Sequence, residues 1–215
     1  QAVVKTLNGV ADNEQMMQRL RRLRQREMVR IAWRDLSGLA DLDETLKDLT
    51  CLAEACLDGA YRLLAEQLSQ RFGRPYSRGG DTQGLVVLGM GKLGAGELNY
   101  SSDIDLIMAY PQAGFTRNGA REISCEDFFT RLSRGLIKAI GTTTADGIVF
   151  RVDMGLRPFG GSGPLVINFD ALEEYFVRQG REWERYAWIK AHPVAGDKAA
   201  GQALVARLSP FVYRR

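Results

Sequence analysis

The sequence predicts an α/β fold, in which a small mixed β-sheet packs against helices. Two long segments in the first third of the chain carry apolar residues at helical spacing. Further on, an apolar run at 85–88 and the alternation of apolar and polar residues at 101–107 and 148–153 are typical of short strands. We therefore expect three parts: a helical N-terminal segment over 1–80, a core that holds the sheet over 81–168, and a helical C-terminal segment over 169–215.

Two long amphipathic helices are predicted before the sheet. The first runs from about Asp12 to Asp35 and the second from about Leu42 to Phe72, because apolar residues recur along one face of each. The glycines and the proline of 73–80 then predict a surface loop. The first third of the chain is therefore expected to be helical and to end in this loop.

The central stretch predicts two neighbouring strands. The apolar run at 85–89 is typical of a buried strand, and a second strand is predicted over 104–109. Between them lies a glycine-rich turn, which contains Gly89, Gly91, Gly94 and Gly96. Acidic residues follow these glycines after only about a dozen positions, so any helix between the strands has a turn or two.

The remaining elements are assigned from caps, periodicity and turn residues. Ser124 with Asp127 is a helix-capping pattern ahead of an apolar helical stripe. The third strand of the sheet is expected at 148–153. The sequence also predicts a loop at 111–119, a helix to about Ile140, a short strand at 165–167, helices at 169–178 and 181–191, and a last helix from Asp197.

Composition excludes several classes of protein. A hydrophobic content of 45% and a charged content of 26% are ordinary for a soluble globular chain. The net charge of +3 is too small to indicate a nucleic-acid partner. Neither a membrane-spanning apolar run nor a signal-peptide pattern is present. We expect neither a nucleic acid nor a membrane as partner.

The cysteines and the two ends of the sequence suggest a cytoplasmic fragment. Cys51, Cys56 and Cys125 are odd in number and have no metal-binding spacing, so we expect buried or half-buried thiols in a reducing cytoplasm. The sequence begins at Gln1 and stops at Arg215 within a helical pattern. The chain is therefore expected to be a piece of a longer protein.

Two aspartates on the second strand predict a metal site. Asp103 and Asp105 are two residues apart, so they lie on one face of the strand, whereas Ile104 and Leu106 lie on the other. Two neighbouring carboxylates repel each other unless a positive charge lies between them. Mg²⁺ prefers carboxylate and phosphate oxygens. The pattern therefore indicates a glycine turn that holds the phosphates of a nucleotide next to a metal ion.

Three other interpretations of the glycine turn fit the sequence less well. Gly89-x-Gly91-x-x-Gly94 matches the dinucleotide-binding fingerprint, but that fold needs a full helix and an acidic residue about 20 positions later. A Walker A loop is excluded, because neither Ser nor Thr follows Lys92. A tight turn beside a solvated strand is disfavoured, because two acids next to a glycine turn are costly without a ligand.

The same residues resemble a known superfamily and one of its families. Gly91 followed by Asp103-x-Asp105 resembles the signature of the nucleotidyltransferases, which share the fold of DNA polymerase beta. The sequence segments 89–94, 97–99 and 101–106 resemble the corresponding motifs of the glutamine synthetase adenylyltransferases, and so do the segments 151–160 and 183–191. His192 stands where that pattern has arginine, which leaves the role of this position open.

The resemblance implies a set of site residues and a cofactor. Asp103 and Asp105 would bind two Mg²⁺ ions, for which Mn²⁺ can substitute, and Asp153 would supply a third carboxylate. An ion pair of Asp153 with Arg151 or Arg157 is the alternative. The groups expected to contact phosphate or nucleotide are the backbone near Gly91 and Lys92, the Ser102 hydroxyl, and the side chains of Lys92, Arg151 and Arg157.

The family's enzyme removes AMP from, or adds AMP to, a tyrosine of glutamine synthetase, which controls nitrogen assimilation. The sequence segments 101–105 and 154–160 resemble those of the removing domain more closely. In that domain inorganic phosphate attacks adenylyl-tyrosine, and ADP is formed. No physical argument separates this reaction from transfer of AMP from ATP. A regulatory module that binds a nucleotide without turnover also stays open. The implied partners are adenylylated glutamine synthetase, ADP or ATP, phosphate and, for the full-length enzyme, the PII signal protein.

Overall fold

The computed structural model describes residues 6, 7, 9, 10 and 12–213. Within this part of the chain, seven α-helices and seven strands are assigned. The helices are α1 Asn13–Leu36, α2 Leu42–Phe72, α3 Gly91–Ala95, α4 Cys125–Gly141, α5 Phe169–Gln179, α6 Glu182–Trp188 and α7 Lys198–Val212. The strands are β1 Gly73–Ser77, β2 Val86–Gly89, β3 Ile104–Tyr110, β4 Gly114–Asn118, β5 Val152–Asp153, β6 Ile167–Asn168 and β7 His192–Gly196.

The predicted α/β class and the two long N-terminal helices are confirmed. Aspartate side chains cap both helices: Asp12 accepts a hydrogen bond from the backbone N–H of Gln15, and Asp41 accepts one from that of Glu44. Each bond satisfies a donor that the first turn of a helix leaves unpaired. Ser124 caps α4 in the same way, through the N–H of Asp127.

The main sheet is small and mixed, as predicted. Its strands lie in the order β5-β3-β2-β7, and β6 also pairs with β3. β2 runs antiparallel to β3 and β7, whereas β5 and β6 run parallel to β3. The one-turn helix α3 joins β2 to β3, which confirms that the connection is too short for a dinucleotide-binding unit.

The loops predicted at 73–80 and 111–119 are wrong, because β1 and β4 form a separate antiparallel pair. The glycines that suggested turns instead allow the two backbones to approach closely. A Cβ atom at Gly73 would lie 2.0 Å from the carbonyl oxygen of Arg117, and one at Gly114 would lie 1.9 Å from that of Tyr76. Glycine within a strand marks such close approaches as well as turns.

Three other boundaries differ from those predicted. The strand expected at 148–153 is reduced to β5, because the N–H groups of Val149 and Phe150 donate to the carbonyl oxygen of Ile140 in α4 instead of to a neighbouring strand. The short strand at 165–167 is shifted to β6. The helix predicted over 181–191 ends at Trp188, and β7 follows, which the sequence did not predict.

Two apolar cores lie on opposite faces of the main sheet. Val87, Leu106 and Met108 belong to the larger core, which α1, α2 and α4 cover. Leu88 and Ile107 belong to the second core, which α5, α6 and α7 cover. Alternation along each strand therefore supplies both cores, and the sheet is buried on both sides except at its ends.

Two of the three cysteine thiols are buried. Cys56 and Cys125 are buried as expected, but Cys51 is exposed, because it lies on the solvent side of α2. None of the helices in the described ranges is both long enough and apolar enough to cross a membrane.

Candidate functional site

The glycine turn brings the backbone of α3 against the side chain of Asp105. The N–H of Met90 donates to the carbonyl oxygen of Asp105 at 2.9 Å, which closes the turn onto β3. Gly91 has a φ of +53°, and a Cβ atom there would lie 2.8 Å from Oδ2 of Asp105. The carboxylate therefore occupies space that only a glycine leaves open.

The parallel pairing of β3 with β5 brings the third aspartate to the same place. Asp105 is in register with Asp153, as Ile104 is with Val152. Residues in register on neighbouring parallel strands have their side chains on the same face of the sheet. Oδ1 of Asp153 accepts a hydrogen bond from the N–H of Gly155 at 2.6 Å, which orients this carboxylate.

The acidic groups act on one another electrostatically. Burial raises the pKa of Asp105, and the charges of Asp153 and Asp103 raise it further. A carboxyl whose pKa is raised by neighbouring carboxylates is a group that a cation would stabilise in its ionised form. Repulsion of this kind shows that the three aspartates share one electrostatic environment.

Arg151 and Arg157 are bonded within the site rather than to Asp153. The guanidinium of Arg151 pairs with Asp103 and also donates to the carbonyl oxygen of Ser101 at 2.6 Å. Arg157 donates to the carbonyl oxygens of Met154 and Gly161, at 2.7 and 3.0 Å. These bonds of Arg151 and Arg157 therefore go to partners other than Asp153, and they do not support the alternative in which Asp153 forms an ion pair with one of them.

Ser102 and Lys92 lie at the rim of the glycine turn. The Ser102 hydroxyl donates to Oδ1 of Asn99 at 2.7 Å, and the N–H of Ser101 donates to the same oxygen at 3.2 Å. The side chain of Lys92 is exposed on α3. Both groups are therefore within the turn that leads to Asp103, and Lys92 is accessible to a ligand.

Sequence reasoning missed the contribution of β7 to this site. A Cβ atom at Gly94 would lie 1.9 Å from the carbonyl oxygen of Lys190, just before β7 begins. Nζ of Lys190 also lies 2.9 Å from Oε2 of Glu97, so this segment contacts the glycine turn twice. His192 is in register with Gly89 and is exposed. The one sequence signal for this contact is Gly94 itself, because a glycine can mark a place where another backbone approaches closely.

The donor groups suit a hard divalent cation. Among the described residues, no group of three or more His, Cys, Asp and Glu side chains is gathered closely enough to hold a metal ion as it stands. Asp103, Asp105 and Asp153 nevertheless offer carboxylate oxygens, which Mg²⁺ prefers, and burial together with the charges of Asp153 and Asp103 raises the pKa of Asp105. These three residues would hold the ion, and the ion would supply charge neutralisation at a phosphoryl group.

Paired aspartates after a glycine turn, with a third aspartate on an adjoining strand, indicate the nucleotidyltransferase class. Comparison with family models gives a match over residues 1–206 to the family described as glutamate-ammonia ligase adenylyltransferase. Because the match spans most of the sequence, the chain belongs to this family.

Individual relatives agree with the family match. The chain is 55% identical over 215 residues to the bifunctional glutamine synthetase adenylyltransferase/adenylyl-removing enzyme of Nitrosococcus oceani, and the match covers 100% of the chain and 22% of the relative. It is 55% identical over 210 residues to the enzyme of the same name from Pseudomonas aeruginosa, with 97% and 21% covered. The chain thus spans about a fifth of the length of the curated relatives that it matches.

Proposed function

We propose that this chain carries the adenylyl-removing site of a bifunctional enzyme that acts on glutamine synthetase. The observation that supports it best is the register of Asp105 with Asp153 beside the glycine turn, where the charges of Asp153 and Asp103 both act on Asp105. The relatives' names contain both the adding and the removing activity. The choice of the removing direction rests on the resemblance of 101–105 and 154–160 to the removing domain.

The proposed reaction is a phosphorolysis. An oxygen of inorganic phosphate attacks the phosphorus of adenylyl-tyrosine, the bond from phosphorus to the tyrosyl oxygen breaks, and ADP forms. The tyrosyl oxygen takes up a proton, so the product is unmodified tyrosine. Negative charge accumulates on the phosphoryl oxygens during such a transfer, and Mg²⁺ bound at the site would neutralise it.

The chain's own groups then have distinct roles. Asp103, Asp105 and Asp153 would hold the cation, and backbone N–H groups near Gly91 and Lys92 would bind phosphate oxygens. The Lys92 side chain and the Ser102 hydroxyl extend the phosphate-binding rim. Contacts of Arg151 and Arg157 with phosphate would require these side chains to exchange their present acceptors.

The test is release of ADP from adenylylated glutamine synthetase. The chain is incubated with this substrate, phosphate and Mg²⁺, and ADP is quantified. We expect Asp103→Asn and Asp153→Asn to lower the rate by at least about a hundredfold, since phosphoryl transfer depends on electrostatic stabilisation. Asp170→Asn is the matched control, because Asp170 is an exposed aspartate on α5 that pairs with Arg207 of α7. This variant should retain the rate of ADP release.

Two further arms separate the other functions. Transfer of label from α-labelled ATP to unmodified glutamine synthetase, without ADP release in the first assay, would establish the adding direction. Binding of ADP with turnover in neither assay would indicate the regulatory module. Docking of PII by the longer protein and a cytoplasmic location stay predictions.

A further inference from the structure

The segment that follows Asp153 lies on the same face of the sheet as Asp105. On β3, Asp105 alternates with Ile107 and Ala109, and both of these belong to the second core. Tyr175 of α5 is a member of that core. The ring of Phe159 packs edge-on against Tyr175, with ring centroids 4.5 Å apart and an interplanar angle of 64°. Phe159 is therefore on the catalytic face.

A short series of contacts connects Phe159 to the carboxylate of Asp153. Asp153 is bonded to the N–H of Gly155, and a Cβ atom at Gly160 would lie 3.8 Å from the carbonyl oxygen of Gly155. Phe159 is the residue before Gly160, about 3.8 Å away along the backbone. Phe159 therefore belongs to the hydrogen-bonded turn that directly follows the Asp153 carboxylate.

The backbone of Phe159 is held in an unfavourable conformation. Its φ of +61° lies in the left-handed region, which bulky residues rarely adopt. Neighbouring bonds maintain it: Arg157 donates to the carbonyls on both sides of this turn, at Met154 and Gly161. Conformations of this kind persist where the surroundings impose them, and they cluster at functional sites.

The ring of Phe159 is nevertheless not buried. Its residue is 49% exposed, although the turn orders it and Tyr175 contacts one edge. Beside it lies a cavity of about 410 Å³, within the range of ligand pockets. Apolar groups of Pro164, Val166 and Tyr175 line this cavity together with the polar side chains of Asn168 and Gln179.

We propose that Phe159 and the cavity beside Tyr175 bind the purine base of the nucleotide whose phosphates are held at the aspartates. The assignment of the base rests on the proposed function. A half-exposed aromatic ring is a stacking surface for a planar base, and the side-chain amide of Gln179 offers a donor and an acceptor for its edge. The strained turn aims the ring at the ligand.

The test compares a ligand that has a base with one that does not. Binding of ADP and of pyrophosphate, each with Mg²⁺, is measured by calorimetry on the unaltered chain and on Phe159→Leu, Phe159→Trp and Phe115→Leu. Phe115 is the matched control, because it is also an exposed phenylalanine but lies on β4 of the other sheet. Thermal unfolding verifies that each variant is folded.

We expect Phe159→Leu to weaken ADP binding about tenfold and to leave pyrophosphate binding unchanged, because one base-stacking contact is lost. Phe159→Trp should retain ADP affinity, and Phe115→Leu should change neither ligand. Equal weakening of both ligands by Phe159→Leu, or unchanged ADP affinity, would overturn the assignment of the base. An unaltered chain that binds neither ligand would overturn the proposed function together with this inference.

Discussion

The missing side chain of Gly91 determines the shape of the candidate site, because a Cβ atom there would lie 2.8 Å from a carboxylate oxygen of Asp105. The left-handed φ of Gly91 turns the chain, and the missing side chain admits the carboxylate. These two requirements are separable, because Gly96 in the same turn has a φ of +76° but nothing within 4 Å of its would-be Cβ. A pair of alanine substitutions can therefore distinguish backbone strain from displacement of Asp105.

We expect Gly91→Ala and Gly96→Ala to lower the free energy of unfolding by a similar amount, about 1 kcal/mol, because both place alanine in the left-handed region. Gly91→Ala alone should also weaken Mg²⁺-dependent ADP binding, because its Cβ atom would lie 2.8 Å from Oδ2 of Asp105. Urea unfolding and calorimetry measure the two effects. Equal ADP binding by both variants would contradict the proposed role of Asp105.

The raised pKa of Asp105 predicts a pH-dependent gain in stability when the charge is removed. The folded protein disfavours the ionised carboxylate, so its stability cost is fully present above the raised pKa and is absent below the ordinary value of 3.8. Asp105→Asn should therefore be more stable than the unaltered chain near about pH 7 in the absence of Mg²⁺. The difference should shrink as the pH falls through the raised pKa.

Urea unfolding at several pH values measures this difference. A gain that grows towards acid pH would show that the sign is wrong. Addition of Mg²⁺ at neutral pH should stabilise the unaltered chain more than Asp105→Asn, because binding to the folded state adds to its stability.

At the scale of the elements, a buried arginine joins α1 to the end of α4. Arg21 has no exposed surface, and its guanidinium donates to the carbonyl oxygens of Met17, Ala139, Thr142 and Gly147. The last carbonyls of a helix lack partners within the helix, so Arg21 satisfies the end of α4 and the turn that leads towards β5. Burial lowers its pKa, although the charge of Asp146 partly opposes this shift.

We expect Arg21→Leu to lower the free energy of unfolding by about 3 kcal/mol, because several buried carbonyls lose their donor together. Arg22→Leu is the adjacent control: its side chain is 64% exposed and lies 3.8 Å from Asp146, so it should cost less than about 1 kcal/mol. Chemical denaturation measures both changes. Similar costs for the two variants would refute the role assigned to Arg21.

Elements with local signals could be predicted from the sequence, and elements that depend on distant pairing could not. The long helices, β2 and β3 follow from periodicity and caps. β1 and β4 contain Gly73, Pro75 and Gly114, which locally indicate turns and pair only in three dimensions. Pro193 likewise obscured β7, which lies at the edge of the main sheet, where proline is tolerated.

The same distinction applies to the candidate site. Asp103 and Asp105 are placed by alternation along one strand, which the sequence displays. The register of Asp153 with Asp105, the pairing of Arg151 with Asp103 and the contact of Lys190 with Gly94 depend on how separate segments meet. Whether the aspartates bind Mg²⁺ stays a prediction that the binding experiments address.

At the scale of the whole molecule, the larger core makes one buried thiol a reporter of global unfolding. Cys56 lies in this core, and burial raises its pKa to about 12. Cys51, which precedes it on α2, is exposed. Because the thiolate is the reactive form, Cys56 has both poor access and little ionisation in the folded chain.

We expect a thiol reagent at about pH 8 to modify Cys51 at once and Cys56 only at the rate at which the chain unfolds. Peptide mapping by mass spectrometry resolves the two sites, and modification in urea gives the unfolded reference. Rapid modification of Cys56 in the native chain would mean that the larger core opens locally.

The pairing of β2 with β7 has a consequence for synthesis on the ribosome. One edge of β2 is covered by His192–Gly196, which is translated long after Val86–Gly89. Until those residues emerge, the nascent sheet has an unpaired edge next to the glycine turn, and such edges recruit other strands. A translation product that ends before β7 would therefore expose an unpaired strand edge beside its glycine turn, and this edge would favour association with other chains.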